Sequence, residues 1–102
     1  MNNKEFLREF EIPLNTMKRI VKAKNADYSN GDAFKNFKMC EKLGLCSVGQ
    51  GILVRLSDKL SRVANLIDGS QPAVLDEKIE DTLLDLSNYS IILLLYLRHK
   101  DE

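Results

Sequence analysis

This chain has no excess charge of either sign, since 15 Lys and Arg balance 15 Asp and Glu over 102 residues. A polyanion-binding footprint is absent at the level of the whole chain, so nucleic acid is not an expected partner. Histidine occurs once, as His99 near the C-terminus. A His-based metal site or catalytic triad within one chain is therefore not expected. Cysteine occurs twice, and the spacing of Cys40 and Cys46 matches neither a zinc nor a redox motif. Both are expected to be reduced thiols of a cytoplasmic protein. The N-terminus, Met1-Asn2-Asn3-Lys4-Glu5, lacks the apolar stretch of a signal peptide. The apolar run Ile91 to Leu97 is too short to span a bilayer, so no membrane partner is expected. No repeat, linker or low-complexity segment is visible, and nothing reads as a confident strand.

What is present is helical periodicity. Residues 3 to 11 carry Phe6, Leu7 and Phe10 on one side, and Pro13 either interrupts this helix or starts a new one. The pattern resumes from Leu14 through Met17, Ile20 and Val21 to about Ala23. Lys24 to Asp32 is dense in turn formers and reads as a polar loop. Ala33 to Leu43 forms a short helix that buries Phe34, Phe37 and Met39, and Gly44 ends it. Ser47-Val48-Gly49-Gln50 is a capping box, with Ser47 as N-cap and Gln50 at N3. The helix it opens has an apolar face of Ile52, Leu56, Leu60, Val63 and Ile67. Its polar stripe is Arg55, Asp58, Arg62 and Asn65. Gly69 and Pro72 mark the stop, and the short connection makes the next helix an antiparallel neighbour. The expected fold is all-α: one domain over residues 1–102, a compact bundle of four to five helices with a long antiparallel C-terminal helix pair.

The last helix carries the strongest lead to chemistry. Glu77, Asp81, Asp85 and Asn88 fall on one face at about 3.6 residues per turn. Carboxylates stacked at this spacing repel one another and need a cation. One reading supplies magnesium, a hard ion that takes carboxylate and phosphate oxygens. The other supplies Arg55, Lys59 and Arg62 from the preceding helix. Those cations have two readings of their own, as phosphate ligands or as a solvated helix face. In the loop, Lys24 suits a phosphate, Asn25 a base edge, Asp27 a sugar hydroxyl or metal, and Tyr28 a stacked base. A helix C-terminus followed by a turn accounts for the same residues. The apolar circumference at Ile91 to Leu97 and the zero net charge favour a homo-oligomer, with Phe6 and Phe10 as a second candidate interface.

Four stretches carry a resemblance: Lys24 to Tyr28, Phe34 to Phe37, Val54 to Arg62 and Asp76 to Tyr89. In this order they resemble the phage and bacterial family called nucleotide modification associated domain 1, over about Val21 to Leu97. The resemblance implies a nucleotide or nucleotide-derived ligand rather than a given reaction, and, for a phage-encoded chain, the cytoplasm of the bacterial host. A weaker likeness links the last two helices to the MazG-like all-α nucleoside triphosphate pyrophosphohydrolases. Their second acidic motif has a counterpart in Glu77, Asp81 and Asp85, at four-residue spacing instead of three. Their first does not, because that helix offers only Asp58 between Arg55, Lys59 and Arg62. The metal set implied is Asp58, Glu77, Asp81 and Asp85, and the ligand set Lys24, Asn25, Asp27, Tyr28, Arg55, Lys59, Arg62 and Asn88. Three functions follow: a magnesium-dependent nucleotide phosphohydrolase, a catalysis-free binder that sequesters a host signalling nucleotide, and a helical oligomerisation or adaptor module.

Overall fold

A computed structural model describes residues 1–28, 34–69 and 78–101, with residues 25–28 described by their backbone alone. It is all-α among these residues. The helices are α1 (Asn3–Tyr28), α2 (Lys35–Lys42), α3 (Val48–Leu66) and α4 (Ile79–His99). Contacts divide the chain into two units, Met1–Ala33 and Phe34–Glu102. None of the described helices is long and apolar enough to cross a membrane.

Among the described residues, the first unit is the single helix α1. It opens on a capping box that the sequence reading passed over. The Glu5 N–H donates to Asn2 Oδ1 at 2.9 Å, and the Asn2 N–H reaches back to Glu5 Oε2 at 3.4 Å. Pro13 neither breaks nor starts a helix, for α1 runs through it. A proline here removes the hydrogen bond to the carbonyl of Glu9, but Glu9 and Pro13 are both exposed, on the side of the helix where solvent can replace that bond. The helix also continues through Lys24 to Tyr28, where a polar loop was expected. Phe6 and Phe10 pair one turn apart, with ring centroids 5.8 Å apart. Both rings remain about half exposed.

In the second unit, α2 ends in a Schellman motif. The Leu45 N–H donates to the Cys40 carbonyl and the Gly44 N–H to that of Glu41, both at 3.0 Å. Gly44 closes the motif at φ 75°, a backbone region that costs a residue with a Cβ. Three residues on, at Ser47, the α3 capping box forms as its sequence indicates. The Gln50 N–H donates to Ser47 Oγ at 3.1 Å, and the Ser47 N–H to Gln50 Oε1 at 2.9 Å. Glu41 adds its carboxylate to this helix start, accepting from the Val48 N–H at 3.1 Å. The two caps bind the end of α2 to the beginning of α3. Gly51 lets the helices approach, because a Cβ there would stand 3.3 Å from the Phe37 ring and 3.5 Å from Cys46 Sγ. Phe34, just before α2, sets its ring edge-on to Tyr96 of α4 at 5.8 Å. Phe34 and Phe37 are thus half-buried, whereas Met39, expected inside, is half exposed.

Helices α3 and α4 pack antiparallel. Gly49 lies against the Tyr96 ring, and ten residues along α3 Lys59 meets Asp85, eleven residues back on α4. The seam is centred on Ile52, Lys59 and Leu66 of α3, and on Thr82, Asp85, Tyr89 and Tyr96 of α4. Ile52 and Thr82 are fully buried there. This corrects the expected apolar face of α3. Ile52 is in the seam and Leu56 and Val63 border it, but Leu60 and Ile67 stand exposed, about 100° around the helix from Lys59 and Leu66 respectively.

Right-handed helices running in opposite directions turn in opposite senses when viewed down one axis. Given this seam, Arg55, Asp58, Arg62 and Asn65 of α3 and Asp81 and Asn88 of α4 lie along the same side of the pair. The opposite side carries two rows at heptad spacing, Leu53-Leu56-Leu60-Val63-Ile67 and Ile79-Leu83-Leu86-Ser90-Leu93-Leu97. The pair therefore has an apolar flank and a flank that carries its polar stripes, on which Leu84 and Leu95 of α4 also lie.

Candidate functional site

The polar flank is built level by level from the antiparallel register. At one end Arg55 stands opposite Asn88 and Tyr89. In the middle Lys59 stands opposite Asp85, with Asp58 beside it on the flank. Toward the other end Arg62 stands at the level of Thr82, between Asp81 and Asp85. This placement follows from the helical repeat of about 3.6 residues, which returns cations of α3 and acids of α4 to the same side at matching heights.

The middle level is the best defined. Lys59 Nζ lies 3.2 Å from Asp85 Oδ2, and the two side chains are 23% and 22% exposed. At that burial the pair is screened less than a surface salt bridge and less costly than a fully dehydrated one. Arg62 is half-buried, with Nε and Nη2 shielded from solvent. Asn88 is 8% exposed, so its amide sits inside the unit. Arg55, Asp58 and Asp81 are exposed. The flank thus grades from a partly buried ion pair to a solvent-facing rim of both signs. Such a surface offers guanidinium and ammonium donors to an anion, with carboxylates alongside for neutral donors.

The structure brings together Arg55, Asp58, Lys59, Arg62, Asp81, Asp85 and Asn88 of the residues singled out in the sequence. Lys24 lies on α1, in the other unit, and is exposed. Asn25, Asp27 and Tyr28 belong to the last turn of α1, but their side chains lie outside the described residues, as does Glu77. Among the described residues no three of His, Cys, Asp and Glu gather as a metal-holding group. The Asp85 carboxylate lies against the Lys59 ammonium. The acidic stripe is thereby matched, at this position, by a cation from the neighbouring helix.

Thr82 escaped the sequence reading although it is buried at the level of Arg62. Its Oγ1 donates to the Lys78 carbonyl at 3.4 Å, which satisfies the hydroxyl within the helix. The spacing Thr82, Asp85, Tyr89 is the signal that would have placed it in the seam.

The polar flank lies within the part of the chain that comparison identifies. A family model described as nucleotide modification associated domain 1 matches residues 24–97. The match takes in the last turn of α1 and all of α2, α3 and α4, with both polar stripes. No curated protein and no solved structure matches the chain. On the extent of the family match, which covers well over half of its length, this chain belongs to the nucleotide modification associated domain 1 family.

Proposed function

We propose that this protein binds a nucleotide or nucleotide-derived molecule along the polar flank of α3 and α4, and that it does so without hydrolysing it. Arg55 grips phosphate oxygens from the exposed rim, and Arg62 joins it through the bidentate fork that suits a phosphate once its shielded Nε and Nη2 turn toward the ligand. Lys59 adds charge from the seam, and Asn88 supplies donor and acceptor atoms at the Arg55 end. The family description supports the nucleotide class. The observation that carries the choice of binding over hydrolysis is the 3.2 Å pair between Lys59 and Asp85. It engages Asp85, the last carboxylate of the acidic stripe, so this reading routes no step through a metal held there. Sequestration of a signalling nucleotide is the corresponding role.

Isothermal calorimetry with mono-, di-, tri- and cyclic nucleotides, with and without magnesium, tests the proposal. The mixtures are analysed afterwards by mass spectrometry. Binding with the nucleotide recovered intact is the expected result. Arg62→Ala should weaken it by about tenfold or more, since charge-assisted contacts contribute roughly 1.5–3 kcal/mol each. Arg62→Lys should recover only part of the loss, because the fork is gone. A magnesium-dependent product would replace this reading with the phosphohydrolase. No heat with any nucleotide would reject the flank as a nucleotide site.

A further inference from the structure

We propose that the apolar flank of the α3–α4 pair is covered by the same flank of a second copy of this chain. On α3, Leu53, Leu60 and Ile67 are 57%, 59% and 68% exposed, and on α4 Leu83 and Leu97 are 43% and 53% exposed. These side chains leave on the order of 500 Å² of apolar surface open, well over half of the ~800 Å² per partner that a standard interface covers. A patch of that size matches the largest one that a typical monomer shows, which is often functional. It lies within one unit of the chain and on the opposite side of the helix pair from the proposed nucleotide site.

The spacing of these residues points to helices as the partner. Both rows step by three and four residues, the repeat of a seam that meets facing helices through interdigitating side chains. Within the chain Leu56, Val63, Leu86 and Leu93 are half-buried along the edge of the α3–α4 contact, whose centre holds Lys59, Asp85 and Thr82, and the outer members of the rows are left open. The usual arrangement is inverted: an ion pair and a threonine occupy the internal seam while leucines face outward. Covering the outward rows with another helix pair turns them into the core of a four-helix arrangement.

The charge of the flank selects a second copy as the occupant. Neither row contains Lys, Arg, Asp, Glu or His. The one polar member, Ser90, donates its hydroxyl to the Leu86 carbonyl at 2.9 Å and needs nothing from a partner. The small residues Ser57 and Ala64 border the α3 row and permit close approach. A charged peptide or an anionic surface finds no counter-charge here. An identical leucine row, related by a two-fold axis, finds matching shape and no buried charge.

Size-exclusion chromatography with light scattering on the full chain at micromolar concentration reads the contact. The expected mass is twice the 11.6 kDa of the chain, or a higher even multiple. Leu60→Glu and Leu97→Glu should each raise the dissociation constant by at least about a hundredfold and give the monomer mass. Ser61→Glu, on an exposed position away from the rows, should leave the mass unchanged. A second measurement needs no variant: the thermal midpoint of the wild-type chain should rise with concentration, as it does when association stabilises the folded form. A monomer mass with a concentration-independent midpoint overturns the proposal. So does a dimer that survives both glutamates, or one that Phe10→Glu disperses while Leu60→Glu does not, which would place the contact on α1.

Discussion

The two flanks of the α3–α4 pair use the same helices, the same register and the same repeat, yet they carry opposite chemistry. One bears Arg55, Asp58, Arg62, Asp81 and Asn88 with Leu84 and Leu95 beside them, the other two rows that are aliphatic but for Ser90. The seam between them is mixed, with Ile52 and Thr82 fully buried beside the Lys59–Asp85 pair. A helix shared by a polar and an apolar flank is constrained on nearly its whole circumference. Stability of the pair therefore rests on the seam, ligand recognition on one flank and association on the other. Substitutions at these three places should separate those properties.

The largest effect belongs to the seam. Ile52→Ala removes a side chain with no solvent exposure and should cost about 3 kcal/mol in a denaturant melt. Leu60→Ala, at 59% exposure, should cost well under about 1 kcal/mol in the dilute, dissociated chain. Equal losses at the two positions would erase the distinction between seam and apolar flank.

That distinction shows what the sequence makes legible. The helix ends were readable because their signals are local. Ser47 and Gln50 make the capping box that their spacing describes, and Gly44 takes the positive φ that ends α2. The antiparallel partnership of α3 and α4 was readable from helix lengths and the short connection. The identity of the inner face was not. Leu60 and Ile67 have the periodicity of core residues, and periodicity does not say whether the covering helix comes from the same chain. Lys59 and Thr82 look like surface residues until the seam is seen. Pro13 misled because its cost depends on whether the Glu9 carbonyl meets water, a tertiary property. At the site, the stripes of α3 and α4 were legible as stripes. Their common side required the handedness of an antiparallel pair, and the pairing of Asp85 with Lys59 required the packed structure.

The next effect tests that ion pair. Lys59→Met leaves the Asp85 carboxylate, about one-fifth exposed, without its ammonium and should cost about 1–2 kcal/mol. Replacing both partners, Lys59→Met with Asp85→Leu, should recover most of the loss, because a well-packed apolar pair avoids the desolvation that ions incur. A double-mutant cycle in thermal or urea melts reads the coupling. Additive losses would mean that the pair contributes nothing as a pair.

Smaller still is the cap at the start of α3. Ser47→Ala removes the oxygen that accepts from the Gln50 N–H and should cost about 1 kcal/mol. Because Glu41 also accepts from this helix start, at the Val48 N–H, the loss should grow when Glu41→Gln is added. Neither change touches a flank, so nucleotide affinity and oligomer mass should stay at their wild-type values. A change in either would show that the flanks depend on the cap after all.

The smallest effect on stability is the sharpest test of the polar flank. Asp81 is exposed on α4, next to the level of Arg62 and one turn before Asp85. Asp81→Asn should change the melting free energy by no more than about 0.5 kcal/mol, as for other exposed substitutions. The two readings of the acidic stripe then part in the sign of the binding change. If the flank receives phosphate through Arg62 and Arg55, Asp81 opposes that anion. Neutralising it should strengthen nucleotide binding by about two- to fivefold in low salt, with the gain shrinking as salt screens the charge. If Asp81 holds a magnesium ion for the nucleotide, the same change removes a hard oxygen ligand and weakens binding in magnesium while leaving metal-free binding unimproved. Calorimetry of the wild type and Asp81→Asn at two salt concentrations, with and without magnesium, gives the sign directly. Stronger metal-free binding that salt diminishes would place the phosphate on the cations of α3. Weaker binding confined to magnesium would return the acidic stripe to the metal.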